Sequence, residues 1–113
     1  MQRDALYLGH MLDTAREAID MAREVSKQDF DDDRVLQVAL AHQVQVIGEA
    51  ARRVHEETCA ELSDIPWREI TGMRNKIVHD YLGVDYDVVW AVVRQDLPVL
   101  VRLIEPHVDG SIE

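Results

Sequence analysis

The sequence predicts an all-α domain, an antiparallel bundle of four to five helices, and three observations lead there. Apolar residues return at intervals of three and four through four long segments. The connectors between those segments are short and carry residue types that start or stop helices. The valine-rich last segment is too long for a typical strand and does not alternate strictly between apolar and polar positions. A chain of 113 residues, 47% hydrophobic and 30% charged, suits one folded domain spanning 1–113, near the size at which pairing with a second copy adds useful burial.

The first helix is expected from Arg3 to about Lys27. Leu6, Met11, Ala15, Ala18, Ile19, Ala22 and Val25 form its apolar stripe. Arg16, Glu17, Asp20, Arg23, Glu24 and Lys27 form a solvated face, with Asp20, Glu24 and Lys27 ordered favourably for pairing. Between Lys27 and Asp33 the pattern breaks and four acids fall within five positions, which suits a turn feeding a helix N-terminus. The glycine and distal glutamate of a calcium loop are missing at the required spacing.

A second helix should run from about Arg34 to Thr58 with Val35, Val38, Ala39, His42, Val46, Ala50 and Val54 turned inward. Gly48 costs about 1 kcal/mol there relative to alanine, so a close approach by another helix is expected. Ser63 and Asp64, ahead of Pro66 and the aromatic anchor Trp67, are N-cap candidates for a third helix. That helix should pass through Ile70, Met73 and Ile77, with Gly72 as a weak point, and end around His79 to Tyr81. Gly83 suits a left-handed terminating position. Asp85 or Asp87 can cap the fourth helix, from Val88 to Ile104, which Pro98 should bend or break. The tail from about Glu105 and Pro106 onward is expected to fray.

Composition excludes several function classes. Cys59 is the single cysteine, so neither an internal disulfide nor a multi-cysteine zinc site can form, and a small, at least half-buried thiol in a reducing compartment is expected. No apolar run reaches the ~18 residues that span a bilayer, and the N-terminus leads into no signal-peptide core; the cytoplasm is the expected setting. A net charge of −10 repels polyanions at long range, so any nucleic-acid site must be local. His42 and His55 lack metal-spaced partners on their helix, and no cofactor is implied.

The reactive stretch is Arg74-Asn75-Lys76-Ile77-Val78-His79-Asp80-Tyr81. Arginine keeps its charge and binds phosphate in a fork, while histidine gives or takes a proton near neutrality. In RNA cleavage a histidine can move the proton of the attacking 2′-hydroxyl and an arginine can stabilise the transition-state oxygens. Arg74 and His79 lie about 140° apart on an ideal helix, so their convergence needs a loosened helix end, a reaching arginine, or two copies related by a two-fold axis. Asn75 and His79, four apart, would share a face, so Asn75 can orient the imidazole or bind a phosphate. On residue chemistry alone, an Arg74 paired with an acid and a His79 capping the helix end is the more ordinary account. Glu49 and Arg52 sit one turn apart and can form a surface pair or face a site.

The order Arg74, four residues, His79, one residue, Tyr81 resembles the signature of the HEPN superfamily, in particular its HepT-like branch. Val46-Ile47-Gly48-Glu49-Ala50-Ala51-Arg52-Arg53, Ile65-Pro66-Trp67-Arg68-Glu69-Ile70 and Val88-Val89-Trp90 are similar to that branch too, so the likeness spans roughly Leu36 to Leu97. The resemblance implies a homodimeric HEPN-like bundle in which the motifs of both subunits line one cleft. It implies the toxin half of a prokaryotic type VII-like toxin–antitoxin pair, a metal-independent endoribonuclease with Arg74 and His79 catalytic and Asn75, Asp80 and Tyr81 supporting. It also implies a minimal nucleotidyltransferase (MNT-type) antitoxin that places AMP on Tyr81. Glu49, Arg52, Arg53, Arg68 and Lys76 are the candidate RNA or partner contacts around that cleft. The alternative of a different class is a non-catalytic nucleotide- or partner-binding subunit of a nucleotidyltransferase complex, which the acidic surface favours.

Overall fold

A computed structural model describes the backbone of residues 2–79 and 83–112 and the side chains of residues 3–79 and 83–108. The described residues are helical apart from short connectors and one isolated antiparallel bridge, Val78 with Val84. Three long rods carry the fold: α1 (Gln2–Ala22), α3 (Arg34–Arg52), and a continuous run of α7 (Tyr86–Ala91), a π-helical turn (Val92–Asp96) and α8 (Leu97–Ile112). Helix α1 packs against both α3 and α8. Short helices fill the connections: α2 (Lys27–Asp31), α4 (Glu56–Glu61), α5 (Trp67–Thr71) and α6 (Met73–Ile77). The shortest dimension, 19 Å, corresponds to two helix layers about 8–10 Å apart.

The expected long helices are cut at identifiable places. Helix α1 stops at Ala22, where Glu24 takes a left-handed φ of 61° and the Arg94 guanidinium donates to the Ala22 carbonyl at 3.2 Å. Ser26 then caps α2 by accepting from the Asp29 amide at 3.0 Å, which places Phe30 fully inside, its ring 4.8 Å from that of Trp90. Local polarity concealed this helix, because Phe30 is its only buried residue. Asp33 caps α3 through the Leu36 amide at 3.0 Å, as the acidic run suggested.

The second expected helix ends at Arg52 instead of Thr58. Asp4 reaches across from α1 and accepts from the His55 amide at 3.2 Å, from His55 Nδ1 at 2.8 Å and from the Thr58 hydroxyl, so its carboxylate caps α4 from a distance. The inward face of α3 also differs in phase from the valine-based expectation. Leu40, Ala41, Val44, Ile47, Gly48 and Ala51 are buried with Ala50 and Val54, whereas Val35 is 81% exposed and His42 is exposed. The larger Leu and Ile side chains, which remove more area from water, set the buried stripe. On α1, Leu8 and Leu12 join Met11 and Ala15 in the core and Leu6 is left 70% exposed. The solvated face pairs Arg23 with Asp20, while Lys27 bridges Asp31 and Asp87.

Gly48 makes the close approach that its cost implied: a Cβ there would sit 3.1 Å from the Ile70 carbonyl. Gly72 divides the third expected helix into α5 and α6, and Pro66, with no side-chain cap, precedes α5 in place of the Ser63 or Asp64 start. Trp67 is the expected anchor, its indole N–H donating to the Leu62 carbonyl at 3.1 Å. Cys59 is half-buried, and burial pushes its thiol pKa up.

Pro98 does not break the last rod. The preceding turn widens so that the Leu97 amide bonds Val92 five residues back. A π turn leaves one carbonyl without an amide, and proline has no N–H to offer, so the two irregularities match. Helix α8 then continues past Pro106 to Ile112, keeping helical geometry over the tail expected to fray. Among the described residues, no helix is long and apolar enough to cross a membrane.

Candidate active site

Helix α6 carries the first half of the motif and ends before the second. Met73 and Ile77 are buried against the bundle, which turns Arg74, Asn75 and Lys76 to the surface. Val78 is extended at φ −108°, ψ 123°, so the helix ends at Ile77, earlier than the expected His79 to Tyr81. The helix end is thus loosened ahead of His79, yet among the described residues this brings no hydrogen bond between His79 and Arg74.

His79 is held by a clasp. Its amide donates to the Gly83 carbonyl at 2.8 Å, and the Asp85 amide donates to the Ile77 carbonyl at 2.7 Å, on either side of the Val78–Val84 bridge. Gly83 takes φ +87°, the expected left-handed conformation, which glycine adopts without a Cβ penalty, and its carbonyl serves the clasp. Asp85 has two roles. One oxygen caps α7 through the Val88 amide at 3.2 Å, and the other lies 3.6 Å from His79 Nε2. That separation is an ion-pair distance for a protonated ring and is longer than a hydrogen bond. The side chains remain half-exposed, 51% for His79, at the edge of a shallow cavity formed with Gly83, Val84 and Asp85.

The candidate residues divide into separate groups. Among the described residues Arg74 has no hydrogen-bond or ion-pair partner, and no bond joins it or Asn75 to His79; the carboxylate facing the ring is that of Asp85. Lys76 lies 3.5 Å from Asp96 in the π turn, and with Arg68 it borders a groove of about 430 Å³ between α5, α6 and α8, floored by Ile70, Met73 and Leu100. Arg52 does not pair with Glu49: its guanidinium donates to the Thr71 carbonyl at 3.1 Å and ties α3 to the end of α5. Glu49 and Arg53 border another groove, between α3 and α1. Asp80 and Tyr81 lie outside the described residues. Among those described, no group of three or more His, Cys, Asp or Glu side chains is arranged to hold a metal ion.

Sequence reasoning treated Asp85 only as a cap and did not single out Asp96, Tyr7 or His10. Asp85 lies six positions beyond His79 across a turn, so no helical period links them. Its one local signal, an acid just after a glycine that reverses the chain, predicts a cap equally well.

The chain is 34% identical over 99 residues to "Putative RNase TTE0752" of Caldanaerobacter subterraneus subsp. tengcongensis, covering 88% of each chain. It is 37% identical over 93 residues to "Probable ribonuclease HepT" of Thermococcus cleftensis, covering 79% of this chain and 84% of that one. No solved structure matches the sequence significantly. The family model described as "Ribonuclease HepT-like" matches residues 11–106, from the middle of α1 through most of α8, and the chain belongs to that family.

Proposed function

We propose that this protein is a metal-independent endoribonuclease that cleaves RNA at a site completed by two copies of the chain, and that it is the toxin of a toxin–antitoxin pair. The observation that carries the reading is the exit of α6: an Arg74 guanidinium with no acid partner among the described residues and an accessible His79 just past the helix end, in a chain of the HepT-like family. A guanidinium without an acid partner is available to phosphate oxygens.

In the proposed reaction a histidine removes the proton from a ribose 2′-hydroxyl as its oxygen attacks the adjacent phosphorus. Arg74 donates to the non-bridging oxygens while charge builds there. The bond from phosphorus to the 5′-oxygen breaks, and that oxygen takes a proton from a second imidazole. The products are a 2′,3′-cyclic phosphate and a 5′-hydroxyl, with one proton moved and none lost. Two imidazoles and two guanidiniums follow if a two-fold axis joins the motifs, and they supply the local positive field that a chain of net charge −10 otherwise lacks. Asn75, Asp80 and Tyr81 are proposed to support the site. An MNT-type nucleotidyltransferase antitoxin that adenylylates Tyr81 would add a negative phosphate within the Arg74–Tyr81 motif and oppose RNA binding.

Expression should arrest growth, and His79→Ala should relieve the arrest with the fold unchanged; equal toxicity of the folded variant would refute the assignment. Purified protein should cleave RNA in the presence of a chelator. The acidic surface favours one other reading, a non-catalytic subunit that binds the nucleotidyltransferase. A dimer that binds that enzyme and leaves all RNA intact would establish it instead.

A further inference from the structure

The groove between α1 and α3 is separate from the motif loop and brings together residues that no single-helix spacing connects. Tyr7 and His10 come from α1, His42, Gln45 and Glu49 from α3 and Arg53 from its C-cap, around a floor of Val46 and Ala50 in a space of about 410 Å³. A cavity of that size accommodates a small organic ligand. The chemistry of the lining narrows the class. Arginine, two histidines, glutamine and tyrosine can all donate hydrogen bonds, and Glu49 is the one carboxylate on the wall.

Arg53 has no acid partner among the described residues, although Glu49 lies one turn away on the same helix, whereas Arg16, Arg23, Lys27 and Lys76 each face a carboxylate. The Arg3 guanidinium stands 5.7 Å from the centre of the Tyr7 ring and adds a second cation at the rim. The set joins donors and a fixed cation at the edge to an aromatic wall and a mostly apolar lining. It fits a ligand that joins an anionic, acceptor-rich group to a planar ring.

We propose that this groove is a second nucleotide-binding subsite, which takes one nucleotide of a single-stranded RNA away from the cleavage motif. Arg53 and the imidazoles of His10 and His42 receive the phosphate, the base lies against Tyr7 over Val46 and Ala50, and Glu49 accepts from a ribose hydroxyl or a base amino group. The proposal rests on the ribonuclease reading for its substrate, and gives that substrate a second point of attachment.

The test uses the full chain in two measurements. The imidazole resonances of His10 and His42 are followed by NMR during titration with a 5′-mononucleotide. Binding of a short fluorescent single-stranded RNA is followed by anisotropy on the His79→Ala background, with and without Arg53→Gln, after melting curves show that both variants are folded. Both imidazoles should shift. Arg53→Gln should weaken RNA binding about tenfold and reduce the slope of log K against log salt by about 0.7, the loss of one phosphate contact on a single strand.

Unmoved imidazoles together with unchanged RNA affinity would overturn the proposal and leave Arg53 as a cation complementing the C-terminal end of α3. Mononucleotide binding at His10 and His42 with RNA affinity insensitive to Arg53→Gln would assign the groove to a free nucleotide and overturn the strand role. Failure of His79→Ala to stop cleavage would count against the motif reading alone, since the imidazole shifts do not depend on cleavage.

Discussion

Of the three Asp–His pairs among the described residues, Asp4 with His55 and Asp85 with His79 share their chemistry and differ most in setting. Asp4 is buried, with 2% of its side chain accessible, and accepts from the ring, the amide and the hydroxyl that surround it. The Thr58 hydroxyl, followed by His55, holds its carboxyl down at about 2 from an ordinary 3.8, against the opposing effect of burial. Asp85 and His79 stand 3.6 Å apart at the surface, with room for a substrate or proton acceptor on the ring. The comparison separates a carboxylate whose oxygens are engaged by three surrounding donors from one that leaves its imidazole accessible, and only the second arrangement leaves a ring free to meet another molecule.

Five experiments would break or sharpen that contrast. His79→Ala should lower RNA cleavage by about 10²- to 10⁴-fold, the span of general acid–base contributions, with the melting temperature unchanged. Arg74→Lys keeps the charge but removes the planar fork, and a loss of about 10²-fold in single-turnover cleavage is expected; near-normal rates would show that charge alone suffices. Asp85→Asn preserves the capping geometry of α7, so a loss of about tenfold, or ~1.4 kcal/mol of barrier, would isolate its effect on the ring.

Asp4→Asn should leave cleavage intact and lower the melting temperature at neutral pH. Because the folded-state pKa of Asp4 lies below its unfolded value, its contribution is full above about 3.8 and is lost as pH falls toward 2. The gap between variant and wild type should therefore close over that window in a pH series of melts, and a gap independent of pH would contradict the charge-based account. Lys76→Ala is the control for small effects. Its ion pair with Asp96 is about half-exposed, so chemical denaturation should register no more than ~0.5 kcal/mol.

The all-α class, the caps at Asp33 and Asp85 and the motif itself were legible from the chain, because each depends on neighbours within a few positions, and the close approach at Gly48 was legible from the cost of a glycine inside a helix, although its partner Ile70 was not. The breaks were less so. Arg34 to Thr58 reads as one helix by period, and it is divided where Asp4, 51 residues before His55, supplies a cap. The valines of α3 suggested a wrong inner face, since periodicity counts apolar positions and packing weighs their size. Pro98 pointed to a kink, and the π turn before it absorbed the missing amide.

By itself the sequence determined which groups are present and which sit within one helical turn of each other: Arg74, Asn75 and Lys76 on α6, with His79 close behind. Only the tertiary structure decided their company. It set Asp85 against His79, Asp96 against Lys76, Thr71 against Arg52, and His10 against the same groove as His42. The physical reason is that helical periodicity orients a side chain about its own axis, while the partner it meets depends on how separate helices pack and where the chain reverses.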